Sequence, residues 1–305
     1  MRITSQMLTS RVLGDIQGAG QRILSLQEQL VTGKRINRPS DDPTATALVM
    51  GYAGRQAGIE QFLRNADAAL DRLSVTENAL TGTQDLLSRA PVLAEKGASD
   101  AASPEVRAGL ATEVNQLLEE LFSKGNTQTE GHYIFGGRAD STAAFTATRN
   151  ANGEITAVAA SANSDDVLTR QVDDGDTITL NVKAGDVFGT SGGPALNIYQ
   201  QLIDLRDKLR ANDGDGVRAL VTPLSDGAGQ VGQELAVVGA RQNRLIDLKN
   251  RFRIDETTTT AARSRLEDVS ATEALVKLQT EQNTLQAALS TGAKILKMSL
   301  MDYLS

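Results

Sequence analysis

Apolar residues at Ile16, Ala19, Ile23, Leu26 and Leu30 fall alternately three and four positions apart, which is the seam of a heptad repeat. A stripe that narrow buries a helix against one partner helix, not in a broad core, and it constrains this chain more than any other feature. The rhythm returns near the other end at Ala271, Leu275, Leu278, Leu285, Leu289 and Leu296. Two more stripes lie between: Ile59, Leu63, Ala66, Leu70, Leu73, Leu80 and Leu87, then Val231, Leu235, Val238, Leu245 and Phe252. No proline follows Pro223, so Asp268 to Ser305 spans roughly 55 Å as one helix. The predicted fold is mainly α with a small β insert. It is a long antiparallel helical bundle, or coiled coil, built from both chain ends, with the β-rich part at the tip.

Turn formers punctuate the stripes. Gly33 sits at a helix stop, and Asn37-Arg38-Pro39-Ser40-Asp41-Asp42-Pro43 reads as a turn whose Asp42-Pro43 caps and starts the next helix. The residues Asn37, Pro39, Asp41, Asp42 and Pro43 therefore carry a change of direction. Pro91 is expected to kink or end the second helix, because it lacks a donor and clashes with the preceding turn. Ser103-Pro104-Glu105 restarts one, and Gly125 stops it. From Asn126 to Pro194 glycine, threonine and aspartate rise and alternation replaces helical spacing. Asn152-Gly153 marks a hairpin there, and Asp176 to Val182 alternates as a strand. Helices resume at Ile198 and break once at Asn212-Asp213-Gly214-Asp215-Gly216. The expected divisions are 1–42, an N-terminal inner segment; 43–125, a helical shaft; 126–194, the β-rich surface domain; 195–264, the returning shaft; and 265–305, a C-terminal inner segment.

Composition removes most chemistry. The 305 residues include no cysteine, no tryptophan and one histidine, His132, so thiolate chemistry, zinc ribbons and paired-histidine metal sites are excluded. Aromatics make up 3%, which suits leucine-rich helices side by side better than a thick globule. A net charge of −7 argues against nucleic acid or an anionic membrane as partner, and no window approaches a membrane span. Met1 to Met7 has no apolar core of a secretory signal. Asp213-Gly214-Asp215-Gly216 starts like a calcium loop, but Val217 and Leu224 stand where acids are required, so a helix–helix turn is expected. Asp173-Asp174-Gly175-Asp176 fails the same test and reads as a β-turn. His132 has no nucleophile motif around it, and the glycines after it miss both phosphate-loop spacings. No enzyme activity, cofactor or metal is expected.

Apolar residues also lie off the single stripes at the ends: Met7, Leu8, Leu13, Ile295, Met298, Leu300, Met301 and Leu304. Terminal helices apolar on more than one side imply further neighbours, most simply other copies, and a heterologous contact repeated with rotation gives a tube. The residues predicted to form the coiled-coil and subunit interface are Ile16, Ile23, Leu26, Leu30, Leu275, Leu278, Leu285, Leu289 and Leu296.

The motifs then add a resemblance. Met1-Arg2-Ile3 and Gly33 to Pro43 resemble the N-terminal signature of the flagellin superfamily, and Leu285 to Leu289 with Ala293 to Leu304 resemble its terminal helix. The Pro39-Ser40-Asp41-Asp42-Pro43 and Tyr133-Ile134-Phe135-Gly136-Gly137 stretches look most like its junction branch, the hook-associated proteins. The resemblance implies a non-enzymatic part of the bacterial flagellum that links hook to filament and is exported unfolded by the flagellar type III apparatus. The partners it implies are other copies in a ring, a hook-associated protein on the hook side, flagellin on the filament side and a cytoplasmic export chaperone. A flagellin filament subunit is the alternative on the same architecture. A cytoplasmic coiled-coil binding module is the alternative from another class.

Overall fold

The structure is a computed structural model that describes residues 5–189 and 197–304. Its long helices are α1 (Ser5–Thr32), α2 (Pro43–Ala98), α3 (Pro104–Gly125), α5 (Ile198–Arg210), α7 (Val221–Glu267) and α8 (Ala271–Leu304). Short helices α4 (Ala184–Phe188) and α6 (Gly214–Arg218) complete the set. The β segments are β1 (Gln128–Thr129), β2 (His132–Tyr133), β3 (Phe145–Arg149), β4 (Ile155–Ala160), β5 (Thr169–Asp173) and β6 (Asp176–Thr179). Residues 1–59 with 254–305 form one compact unit and residues 60–253 another, and α2 and α7 contribute to both. Among the described residues no helix is long and apolar enough to cross a membrane. Met1-Arg2-Ile3 and the boundary expected at Pro194 lie outside the described residues.

In the 60–253 unit, α2 and α7 run antiparallel. Phe62 stacks on Phe252 with centroids 5.7 Å apart, Gln242 donates to Glu77 at 2.9 Å, and Lys249 pairs with Asp67. The heptad positions Leu73, Leu80 and Leu87 on α2 and Val231, Val238 and Leu245 on α7 are all buried. Helix α3 packs on α5, burying Val114, Leu117 and Leu121 on one and Leu202, Leu205 and Leu209 on the other. The Ser103 hydroxyl accepts from the Val106 amide at its start, as the capping pattern requires. Pro91 does not end α2, which continues to Ala98. Leu87, Ala90, Leu93 and Ala94 are buried around it, and that packing outweighs the roughly 3 kcal/mol a mid-helix proline costs.

The β segments form three separate two-stranded antiparallel hairpins, not one sheet. Glu130 and Gly131, both at positive φ, turn β1 into β2; Gly153 (φ 82°) and Gly175 (φ 75°) turn the other two. Hairpins this small cannot stand alone in water, so a shared core must hold them. That core is aromatic: Phe135, Phe145, Phe188 and Tyr199 meet at centroid distances of 4.9–5.3 Å. The Tyr199 hydroxyl donates to the Leu121 carbonyl, and burial holds its pKa well above the usual phenol range. Arg206, only 2% exposed, ties β4 to the helices by donating to the Ile155 carbonyl at 2.7 Å and to Asn115 at 3.0 Å. The Tyr133-to-Gly137 stretch is thus a packing motif. Phe135 fills the cluster, and Gly137 (φ 59°) passes where a Cβ would lie 1.8 Å from the Asn163 carbonyl.

Two glycines separate strain from collision. Gly153→Ala, with open space around it, is expected to cost about 1–2 kcal/mol for its left-handed backbone alone. Gly137→Ala adds a backbone clash and is expected to lower the thermal midpoint of the 60–253 unit severalfold more. Circular dichroism melts of the two variants check the order.

Candidate functional site

Helices α1 and α8 pair antiparallel within the unit of residues 1–59 and 254–305. The register is set by a bidentate ion pair, Arg22 Nε and Nη2 each 3.0 Å from Glu281, and by Gly292, where a Cβ would lie 3.0 Å from Val12 and 3.7 Å from Ile16. On α1 the inward positions follow the predicted seam: Ala19 is buried, and Ile16, Ile23, Leu26 and Leu30 are half-buried. On α8 the seam is Ala274, Leu278, Glu281, Leu285, Ala288 and Gly292, again three and four apart, with Ala274 and Gly292 buried.

This differs from the sequence expectation. Leu278 and Leu285 lie in the seam, but Leu275 is 55% and Leu289 51% exposed, one step beyond it. The reason is steric. With Ala19 opposite, small residues at Ala274, Ala288 and Gly292 let the helices approach closely, and that register turns the larger leucines aside. Sequence reasoning missed Ala274, Ala288 and Gly292 because it ranked large apolar residues first; their three–four spacing was the available signal. Leu296 lies in α8, but its side chain is outside the described residues, as are those of Leu8, Ile295, Met298, Leu300, Met301 and Leu304. Met7 and Leu13, expected to lie off the stripe, are 66% and 57% exposed.

At the end of this pair the two direction changes meet. Gly33 (φ 70°) closes α1, and α7 breaks into α8 between Glu267 and Ala271. Main-chain hydrogen bonds clasp the two breaks: the Arg35 amide donates to the Glu267 carbonyl at 2.6 Å and the Val269 amide to the Gly33 carbonyl at 3.0 Å, around a Lys34–Asp268 β-bridge. Side chains reinforce it. Arg35 donates to the Leu266 carbonyl, while Lys34 and Arg263 both hold Glu267. Burial pushes the Glu267 pKa up, but these hydrogen bonds more than reverse it, so the carboxyl titrates below its ordinary value.

The predicted turn is internally wired. Asp41 accepts from the Asn37 and Arg38 amides at 3.0 and 2.8 Å, and the Asn37 amide group donates to the Lys34 carbonyl. Asp42 caps α2 by accepting from the Ala45 amide at 2.9 Å; that bond and then Arg35 hold its carboxyl below its ordinary range. Pro43 starts the helix, and Pro39 is exposed in the turn. The clasp partner across from it, 263–269, was not foreseen, because nothing in a sequence says which two turns will face each other.

His132 lies on β2 with Nδ1 2.9 Å from Asp140, whose other oxygen is 3.4 Å from Arg72. These line a cavity of about 370 Å³ with Thr129, Glu130, Leu168, Arg170 and Leu180. Among the described residues no group of three or more histidine or acidic side chains is placed to hold a metal. The site whose geometry invites a function is the terminal pair and its clasp, which offer surface and orientation.

Residues 3–140 match the family model of the bacterial flagellin N-terminal helical region, and residues 224–304 that of its C-terminal helical region. The chain is similar to flagellar hook-associated protein 3 of Salmonella typhimurium, 27% identical over 62% of this chain and 57% of that protein, so it spans little more than half of that relative. It is 24% identical to a flagellin of Bacillus subtilis over 94% of this chain and 93% of that one. The crystal structure of flagellar hook-associated protein 3 from Legionella pneumophila superposes with a TM-score of 0.62 at 15% identity, covering 72% of this chain and 98% of that one, a likeness of fold.

The clasp predicts an acid sensitivity. A carboxyl whose folded pKa is lowered contributes fully above its unfolded value, near 4.3, and loses that contribution as pH falls through the folded value. Amide exchange at Arg35 and Val269 is therefore expected to quicken below about pH 4, relative to the intrinsic rate. Glu267→Gln is expected to show the faster exchange already at pH 7 and to flatten the pH dependence. An unchanged profile in that variant would show that the backbone bonds hold the clasp without Glu267.

Proposed function

Because the chain belongs to the bacterial flagellin family, we propose that it is a structural, non-enzymatic component of the flagellum, the junction piece that joins hook to filament and adapts one lattice to the other. The observation that carries this is a terminal helix pair whose seam is satisfied while large apolar residues remain exposed on its flank: Leu13, Leu24, Val31, Leu275 and Leu289. Such a flank is a contact surface for further chains. Likeness to a hook-associated protein supports the junction assignment. Segments 1–42 and 265–305 are the inner, subunit-contacting parts; 43–125 and 195–264 form the shaft; 126–194 is the outward face of the assembly.

The partners follow from that place: copies of itself in a ring, another hook-associated protein towards the hook, flagellin towards the filament, and before export a cytoplasmic chaperone. The protein works outside the cell, on the flagellum, after passage through the type III apparatus. A filament subunit is the second reading, favoured by the flagellin likeness along nearly the whole chain.

Deleting the gene separates the readings. Hooks without filaments, with flagellin shed into the medium, are expected for the junction role. Hooks without filaments and no shed flagellin identify the filament subunit, and normal filaments sink both. A second measurement tests the seam. Leu26→Ala with Leu278→Ala, each half-buried and each costing up to about 2–3 kcal/mol, is expected to abolish incorporation into flagella. The melting of the 60–253 unit is expected to stay unchanged.

A further inference from the structure

The α1–α8 pair has two unlike faces. In an antiparallel pair, the residues one step after the seam on both helices emerge on the same side, and those one step before it emerge on the other. One step after lie Leu13, Leu24 and Val31 on α1 with Leu275 and Leu289 on α8, exposed by 51% to 87% and interspersed with exposed Gln17, Gln27 and Gln282. This side is a leucine ridge. One step before lie Asp15, Gly18 and Arg22 with Thr284, Ala287 and Thr291, lining an open trough of about 550 Å³. The trough draws its walls from both helices at equivalent steps, which fixes the ridge on the opposite side. A Cβ at Gly14, on its rim, would meet nothing within 4 Å.

We infer that the ridge of one copy seats in the trough of the next, so that the terminal pairs stack head to tail. This rests on the junction reading and adds the polarity of the contact between copies. The pair does not need the ridge for itself, since Ala19, Leu278, Leu285 and Ala288 already fill the seam. Ridge against ridge would bury the glutamines of two copies among leucines, with only each other to bond. Ridge into trough instead sets those amides against Thr284, Thr291, Asp15 and Arg22, and it places bulky side chains where small ones leave room. Leu275 and Leu289 stand two heptads apart, ~21 Å along one helix, so the contact is long and orienting. Because ridge and trough are different surfaces, the contact is heterologous. Repeated with rotation it closes a ring or tube and does not stop at a dimer.

The chain has no cysteine, so introduced thiols report only their own positions. Flagella are isolated from cells co-expressing Leu24→Cys and Ala287→Cys proteins, oxidised, and compared with flagella carrying either variant alone; Leu289→Cys with Gly18→Cys is a second pair. Disulfide-linked dimers several-fold more abundant in the mixtures than in either single variant are expected. Leu24→Cys dimers as abundant alone as in the mixture mean ridge-to-ridge packing and overturn the inference. If both pairs stay uncross-linked while an immunoblot finds the protein in the flagella, that overturns the inference and leaves the junction reading intact. Absence of wild-type protein from flagella sinks the junction reading and this inference together.

Discussion

A heptad seam is about one side chain wide, and two helices joined along it satisfy only the sides they turn to each other. Everything else about the terminal pair follows from that shortage. The inner positions mix larger residues, Ile16, Ile23, Leu26, Leu278 and Leu285, with small ones, Ala19, Ala274, Ala288 and Gly292, and the small ones let the helices approach closely. Other large residues are displaced outward by the same closeness.

The 60–253 unit meets the shortage differently. There α2 and α7 are joined by α3 and α5, and Leu73, Leu80, Leu87, Val231 and Val238 are buried from several sides. The β segments are too short to supply a core of their own and borrow one from Phe135, Phe145, Phe188 and Tyr199. Four of the chain's ten aromatic side chains are spent in that one place. The helices are sealed mostly by leucine, with one Phe62–Phe252 stack, and the aromatic cluster sits where the hairpins need anchoring.

What was legible in the sequence was local. The caps at Ser103 and Asp42, the stop at Gly33 and the hairpin at Asn152-Gly153 each depend on a few adjacent residues, and each is present in the structure. The heptad on α1 was legible because Ile and Leu dominate it. Registers and pairings were not. Whether Ala274 or Leu275 faces α1 depends on how near the partner comes, which is a property of two helices at once. Pro91 was expected to kink or end α2, and the helix runs past it to Ala98, because the packing around it is not visible in the local cost. The clasp between 33–35 and 266–269 joins segments more than two hundred residues apart, and its main-chain bonds leave no side-chain pattern to read.

That last feature carries a consequence for how such a protein can vary. The two bonds that hold the direction changes together, Arg35 to Glu267 and Val269 to Gly33, run between amides and carbonyls, which every residue except proline can supply. The side chains at 268 and 269 can therefore change while the two main-chain bonds stay in place, whereas Lys34 and Arg35 add side-chain bonds of their own. Only Gly33, at positive φ, is tied to one residue type by its backbone. The geometry of this corner is inherited through the polypeptide itself and is largely indifferent to its spelling.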